Sequence, residues 1–159
     1  MIESSEREQL DDLDRAILAT LQQEGRIANA ELARRVNLSP PAVHARIRRL
    51  EAQGVIRGYG ARLDPEKLGY DMLCFVQLSL QMHATEKMAQ VRELIVAMPE
   101  VLECHHVTGE YDYLLKVVVR NRKGLEQFLA NRLARVPGLA RIQTSLVLNE
   151  VKPAGALPV

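Results

Sequence analysis

The chain has 159 residues, 47% of them apolar and 26% charged, which is the balance of an ordinary globular protein with one or two small domains. It has two cysteines without a CxxC spacing, which excludes a disulfide scaffold and fits a reducing compartment. The lack of a long apolar run excludes a membrane helix, and the acidic, polar start excludes a secretory signal. We therefore expect a cytoplasmic protein with no membrane partner.

The net charge of +1 conceals three unlike segments. Residues 3–24 carry a net charge of −5, residues 25–62 carry +6, and residues 63–159 are neutral. Every base of the middle segment is an arginine. Such a block predicts a polyanionic partner for one part of the chain. An arginine-rich surface that is only solvated is the alternative, and charge alone does not exclude it.

Apolar residues at helical spacing predict three helices in the first sixty residues. The first has acidic residues in its opening turn and ends at Gly25. We expect the second to begin with Asn29 as its N-cap and to end at Asn37, in a left-handed turn. The third opens with Ser39 as its N-cap, two prolines follow, and Gly54 ends it.

Two short helices joined by a tight turn, the second with a basic outer face, predict a helix-turn-helix. Residues 55–63 alternate between apolar and polar like a strand and carry Arg57 and Arg62, which predicts a wing. A plain three-helix bundle with solvated arginines is the alternative.

Position on the third helix predicts a role for each outward residue at about 100° per residue. We expect Arg48 and His44 to reach base edges in the major groove, and Pro41 and Ala45 to touch a thymine methyl. The residues expected at phosphates are Ser39, Arg34, Arg35, Arg49 and Arg57. His44 as a plain surface histidine stays open, as does Arg46 as a structural ion pair.

Beyond a polar turn at residues 64–69, the pattern predicts strands over 73–82, 101–108, 113–119 and 139–147, with helices marked by residues 88–98 and 125–133. A shift of 38 residues partly repeats this pattern. Two β-α-β units in series predict a ferredoxin-like βαββαβ sheet with both helices on one face. The other face carries apolar residues that favour sheet-to-sheet dimerisation, namely Leu73, Phe75, Leu114 and Val118.

The segment Thr108-Gly109-Glu110-Tyr111-Asp112-Tyr113 joins the second and third strands. Its backbone N–H groups and two carboxylates suit a zwitterion, although its composition also fits a plain hairpin. Residues 103–106, Glu-Cys-His-His, offer two metal ligands on each strand face, which is too few for a structural zinc. No cofactor or hydrolase motif is present, so we predict no metal and no cofactor.

The chain carries LDRAIL at 13–18, GRI at 25–27, ELA at 31–33, LSP at 38–40, RIRRLE at 46–51 and GVI at 54–56, followed by TGEYDY at 108–113 and VPG at 136–138. The first six segments resemble the DNA-binding half of the Lrp/AsnC family of transcription regulators. The last two resemble landmarks of that family's effector domain, often called the RAM domain. Asn37 departs from the glycine that is usual in the family, and the turn tolerates either residue.

The resemblance implies a prokaryotic transcription regulator of the cytoplasm, associated with the nucleoid. It implies an α+β chain with a winged helix-turn-helix at residues 1–63, a linker at 64–71 and a ferredoxin-like domain at 72–159. It also implies double-stranded DNA and an amino-acid effector as partners, and self-assembly into dimers and then octamers or other rings of dimers. Matched to the family's effector site are His106, Thr108, Gly109, Glu110, Asp112 and Ser145.

Three other classes of function compete with an effector-gated regulator. One is an amino-acid sensor whose DNA-binding half has lapsed, which the eight arginines of residues 25–62 oppose. The second is an oligomeric DNA-architectural protein without effector gating. The third is a small enzyme, which no nucleophile–base pair or metal triad supports, so we predict no catalytic activity. The sequence leaves open the effector, the operator, the direction of regulation and the number of dimers.

Overall fold

The structure, a computed structural model, describes residues 10–81 and 85–159. Residues 1–9 of the predicted DNA-binding domain and Met82 of the predicted first strand lie outside the described residues. The chain divides into two compact units, one of residues up to 62 with 152–159 and one of residues 63–151. Within the described ranges, no helix is both long and apolar enough to cross a membrane.

The N-terminal unit contains helices α1 (Asp12–Gln23), α2 (Asn29–Arg35) and α3 (Pro40–Ala52). A capping box starts α1, where the side chains of Asp11 and Asp14 each accept the other's backbone N–H. The hydroxyl of Ser39 caps α3 by accepting the N–H of Ala42 at 3.4 Å, as predicted. Asn37 has a φ of 54°, which confirms the left-handed turn.

Two local predictions in this unit are wrong. Ala28, not Asn29, is the N-cap of α2, and Asn29 is already the first helical residue without a side-chain cap. No strand forms over residues 55–63, although Ile56 packs against the helical core. Alternation suits a strand only where a neighbouring strand can pair with it, and the described part of this unit offers none.

The C-terminal unit has the order β1 (Met72–Leu80), α4 (Thr85–Val96), β2 (Val101–His106), β3 (Tyr113–Val119), α5 (Arg122–Gln127) and β4 (Leu139–Leu146). The four strands form one antiparallel sheet in the order β2-β3-β1-β4, which confirms the ferredoxin-like prediction.

The second predicted helix of this unit is not continuous. After α5, residues Phe128–Arg132 form a π-helical turn and Leu133–Arg135 form a 3₁₀ turn. Phe128 and Leu133 are both buried and lie five residues apart. The wider π turn brings residues at that spacing closer to one face, so both can reach the core.

Strand register separates the two faces of the sheet. The core face buries residues such as Val76, Leu78 and Leu115 completely. The register places the four predicted apolar residues on the opposite face, where Leu73 pairs with Val118. Phe75 on that face is 38% exposed. The alternation predicted for these strands is therefore confirmed.

Candidate functional site

The residues of α3 that were predicted to contact DNA all lie on the exposed face of this helix. Pro41, His44, Ala45, Arg48 and Arg49 are all exposed, while Val43, Ile47 and Leu50 on the opposite side are buried. Ser39 uses one hydroxyl lone pair in capping the helix, so its O–H remains able to donate to a phosphate.

A shallow cavity of about 360 Å³ adjoins α3 and includes His44 and Arg48 in its lining. Tyr59, from the segment predicted as a wing, lines it too, and its hydroxyl donates to Glu51 Oε1 at 3.2 Å. Burial, together with the nearby Glu51 carboxylate, raises the pKa of Tyr59. The sequence analysis did not single out Tyr59, because its contact with Glu51 depends on how the segment folds back.

The two arginines of α2 already have carboxylate partners. Arg34 makes a bidentate pair with Glu31, with N–O distances of 2.7 and 3.0 Å, and its side chain is 75% exposed. Arg35 bridges Glu24 at 2.6 Å and Glu31 at 3.0 Å. Hydrogen bonds from Arg34 and then Arg35 lower the pKa of Glu31 to about 2. A phosphate at this surface would therefore compete with Glu24 and Glu31.

A buried carboxylate links α3 to α1. Asp14 is only 1% exposed, and its two oxygens lie 2.8 Å from Arg46 Nη1 and 2.5 Å from Arg49 Nη2. Arg46 also pairs with Asp11 at 2.7 Å, so the structural ion-pair interpretation of Arg46 is correct. Arg49 remains about half exposed and can present its other nitrogens to solvent.

Arg48 and Arg57 differ from these paired arginines. Both are exposed, and the described part of the chain provides no ion-pair partner for either. They are thus the predicted DNA contacts whose charge is not already offset by a carboxylate in the described residues.

Residues 108–112 form the loop between β2 and β3, named here the 108–112 loop. Val107 N–H donates to the carbonyl of Asp112 at 3.0 Å and closes it. Gly109 has a φ of +119°, a region that L side chains rarely adopt. Asp112 is tied to β1, because its Oδ2 accepts the N–H of Leu80 at 2.7 Å. The sequence analysis did not predict this bond.

Strand β4 supplies polar residues to the same loop. Arg141 forms an ion pair with Glu110, and its guanidinium carbon lies 5.5 Å from the ring centroid of Tyr111. The hydroxyl of Tyr111 donates to Gln143 Oε1. The sequence analysis missed Arg141 and Gln143, although alternation along β4 puts both on one face with Ser145.

The six predicted effector residues do not all meet within one copy of the chain. Thr108, Gly109 and Glu110 are exposed in the loop, and Ser145 lies on the helix-free face, opposite Phe75 in the register. His106 lies on the other face, where it pairs with Tyr113 and stacks on its ring at 5.1 Å. His106 and Ser145 also belong to the two edge strands, β2 and β4.

The chain was compared with known domain families, proteins and structures. The Lrp/AsnC ligand binding domain matches residues 73–157, and a winged helix-turn-helix DNA-binding domain matches residues 10–57. A leucine-responsive regulatory protein from Klebsiella pneumoniae is 40% identical over 161 residues, which cover 100% of this chain and 98% of that protein.

Two solved structures extend the similarity to the fold. A transcriptional regulator from Neisseria meningitidis, solved as an L-Met complex, superposes with a TM-score of 0.89 at 35% identity, covering 94% of this chain and 97% of that one. An AsnC family transcriptional regulator from Agrobacterium tumefaciens gives 0.88 at 33% identity, covering 93% and 96%.

Proposed function

Because this chain belongs to the Lrp/AsnC family of DNA-binding transcriptional regulators with an effector-binding domain, we propose that its effector is a free amino acid bound beside the 108–112 loop. The observation that carries this proposal is the exposed Glu110–Arg141 pair, whose side chains are 68% and 58% exposed. The L-Met complex of the Neisseria meningitidis regulator supports the same ligand class.

A zwitterion matches this pair chemically. Its carboxylate suits the guanidinium of Arg141 and the loop N–H groups, and its ammonium suits the carboxylate of Glu110. In the complex, the ammonium of the amino acid would take the place of Arg141 beside Glu110. Its carboxylate would take the place of Glu110 beside Arg141. Asp112 and Thr108 complete the proposed loop contacts, and Gly109 allows the backbone path.

We further propose that the site is completed by a second copy of the chain. His106 and Ser145 lie on opposite faces and opposite edges of the sheet, so a ligand that contacts both needs residues from two protomers. Sheet-to-sheet dimerisation would cover the exposed ring of Phe75, and further association of dimers into an octamer or another ring would bring neighbouring sites together.

On DNA, we propose that α3 enters the major groove. Arg48 and His44 would contact base edges, with Pro41 and Ala45 against a thymine methyl. The proposed phosphate contacts are Ser39, Arg34, Arg35, Arg49 and Arg57. For Arg34, Arg35 and Arg49 these contacts require a phosphate to share or displace a carboxylate that already holds the guanidinium.

The proposed regulation follows from linkage. An amino acid alters DNA affinity or assembly only if it binds two states of the protein with different affinities. We propose that the protein is such an amino-acid-responsive regulator and not a catalyst. We also propose that it acts in the cytoplasm, associated with the nucleoid.

The test is to capture genomic DNA fragments with the full-length protein, and to repeat the capture with each amino acid added. We expect a defined set of fragments whose recovery changes with one or a few amino acids. Recovery that no amino acid changes would indicate a DNA-architectural protein, and an absence of salt-dependent DNA binding would indicate a sensor whose DNA-binding half has lapsed.

A further inference from the structure

A second concave site lies in the C-terminal unit, at the end of the sheet where β2 begins and β3 ends. It is a cavity of about 700 Å³. The 108–112 loop adjoins Tyr113 at one end of β3, and this cavity adjoins Val119 at the other. A strand of seven residues spans about 20 Å, so the cavity is separate from the loop.

The lining of this cavity is rich in cations. Arg120 is held over the ring of Tyr70, with its guanidinium carbon 5.3 Å from the ring centroid. Lys123 is exposed, and no ion-pair partner for it occurs in the described part of the chain. Arg132 is the third cation, and its Nε lies 3.2 Å from Glu100 Oε1.

Among the described lining residues, Glu100 supplies the carboxylate, and one of its two oxygens lacks a hydrogen-bond partner. Its Oε1 pairs with Arg132, but Oε2 is buried and has no hydrogen-bond partner among the described residues. Its backbone carbonyl accepts the N–H of Val118 at 2.9 Å, which anchors the residue beside β3. A buried oxygen without a donor is costly, so a ligand that brings an O–H to Oε2 would satisfy it.

We propose that this cavity binds a small organic dianion that also carries a hydroxyl group. Three cations against one carboxylate leave an excess of positive charge that a dianion neutralises. Arg120 and Lys123 suit its oxyanions, while its hydroxyl donates to Glu100 Oε2. The volume lies within the range of small-molecule sites. A hydroxylated dicarboxylate and the phosphomonoester of a polyol share this chemistry.

Calorimetric titration of the full-length protein at low ionic strength tests the proposal with L-malate, glycerol 3-phosphate and succinate. We expect saturable binding of L-malate or glycerol 3-phosphate at one site per chain, and which of them binds identifies the oxyanion. Succinate lacks the hydroxyl and should bind more weakly than L-malate. Glu100→Gln should abolish that preference. The amide N–H can donate to an oxygen of either ligand, so the site no longer favours the one that supplies an O–H.

Two charge variants locate the bound anion. Lys123→Gln should weaken binding at least tenfold, whereas Arg122→Gln should leave it unchanged, because Arg122 is exposed in the same turn but lies outside the cavity lining. An anion bound at the arginines of α3 would survive Lys123→Gln. The proposal would be overturned if binding survived Lys123→Gln, or if Lys123→Gln and Arg122→Gln weakened it equally. It would also be overturned if neither hydroxylated anion bound to the wild type. Succinate binding as tightly as L-malate would overturn it too.

Discussion

Asp112 fastens the 108–112 loop to the end of β1 through Leu80. Its carboxylate Oδ2 accepts the N–H of Leu80 at 2.7 Å. The backbone N–H of Asp112 donates to the carbonyl of Leu78 at 2.8 Å, so side chain and main chain hold the same strand end. Asp112, which is proposed to contact the amino acid, therefore also supports the loop that would bind it.

Replacing Asp112 separates these two roles. Asp112→Ala removes both the acceptor for Leu80 and the charge, so the free energy of unfolding should fall by about 1–3 kcal/mol and amino-acid affinity at least tenfold. Asp112→Asn keeps an acceptor and should recover most of the stability but not the affinity. Urea unfolding and calorimetric titration measure the two effects. Wild-type amino-acid affinity in Asp112→Asn would make the carboxylate purely structural.

Gly109→Ala should abolish the effector response while DNA binding persists. At a φ of +119° a Cβ is strained even though the space around it is open, at a cost of about 1–3 kcal/mol. The loop would relax and move its N–H groups. Gly155→Ala is the control, because Gly155 lies outside the proposed DNA and effector sites, its added Cβ would have its nearest contact at 3.9 Å, and it has no such φ. DNA shift assays with and without the amino acid measure the response, and a normal response in Gly109→Ala would contradict the proposed loop geometry.

Arg48→Ala and Arg34→Ala should weaken DNA binding in different ways. Loss of a base contact by Arg48 should cost about 1–3 kcal/mol on the specific site and little on random DNA. Loss of a phosphate contact by Arg34 should weaken binding to all sequences equally and reduce the salt slope by about one unit. Salt titrations on operator and random DNA distinguish them. Equal losses on both DNAs for Arg48→Ala would show that it does not read bases.

Glu31→Gln should strengthen DNA binding regardless of sequence. It removes the carboxylate that holds Arg34, so the Arg34 guanidinium becomes available to a phosphate. Arg35 loses one of its two carboxylates and keeps its pair with Glu24. We expect affinity to rise several-fold on operator and random DNA alike. Glu66→Gln, in the other unit, is the matched control. An unchanged affinity would show that the ion pairs do not compete with DNA.

The same carboxylate predicts an acid-dependent loss of stability. The pKa of Glu31 falls to about 2 from its ordinary value of 4.5. Because the folded state lowers this pKa, the stabilisation is fully present above about pH 4.5 and is lost as the pH falls towards 2. Glu31→Gln should flatten this decline in unfolding experiments across that interval. A decline identical to that of the wild type would assign it to other carboxylates.

Phe75→Lys should disrupt self-association. The ring is exposed on the helix-free face, and a charge there would have to be buried in a sheet-to-sheet dimer. Sedimentation analysis at micromolar concentration should show a smaller species than the wild type. Val96→Lys, at a 79% exposed apolar position on α4, provides the control. Unchanged association in Phe75→Lys would exclude this face as the dimer interface.

Local chemistry made much of the fold predictable. Ser39 before two prolines and Asn37 in the preceding turn define the start of α3 through interactions within a few residues. Alternation in β1 and β3 likewise identified both sheet faces, because successive side chains of a strand point to opposite sides. The strand predicted over residues 55–63 does not form, because alternation within a segment does not show whether another strand is present to pair with it.

The sequence by itself determined most of the helix and strand order, the excess of arginine in residues 25–62 and the polar loop of the C-terminal unit. Only the tertiary structure decided which charges meet. Arg49 and Asp14 lie 35 residues apart, and Arg141 and Glu110 lie 31 apart. Helix packing brings the first pair together, and strand register sets His106 and Ser145 on opposite faces. Such pairings depend on contacts between elements distant in the chain, and no local spacing encodes them.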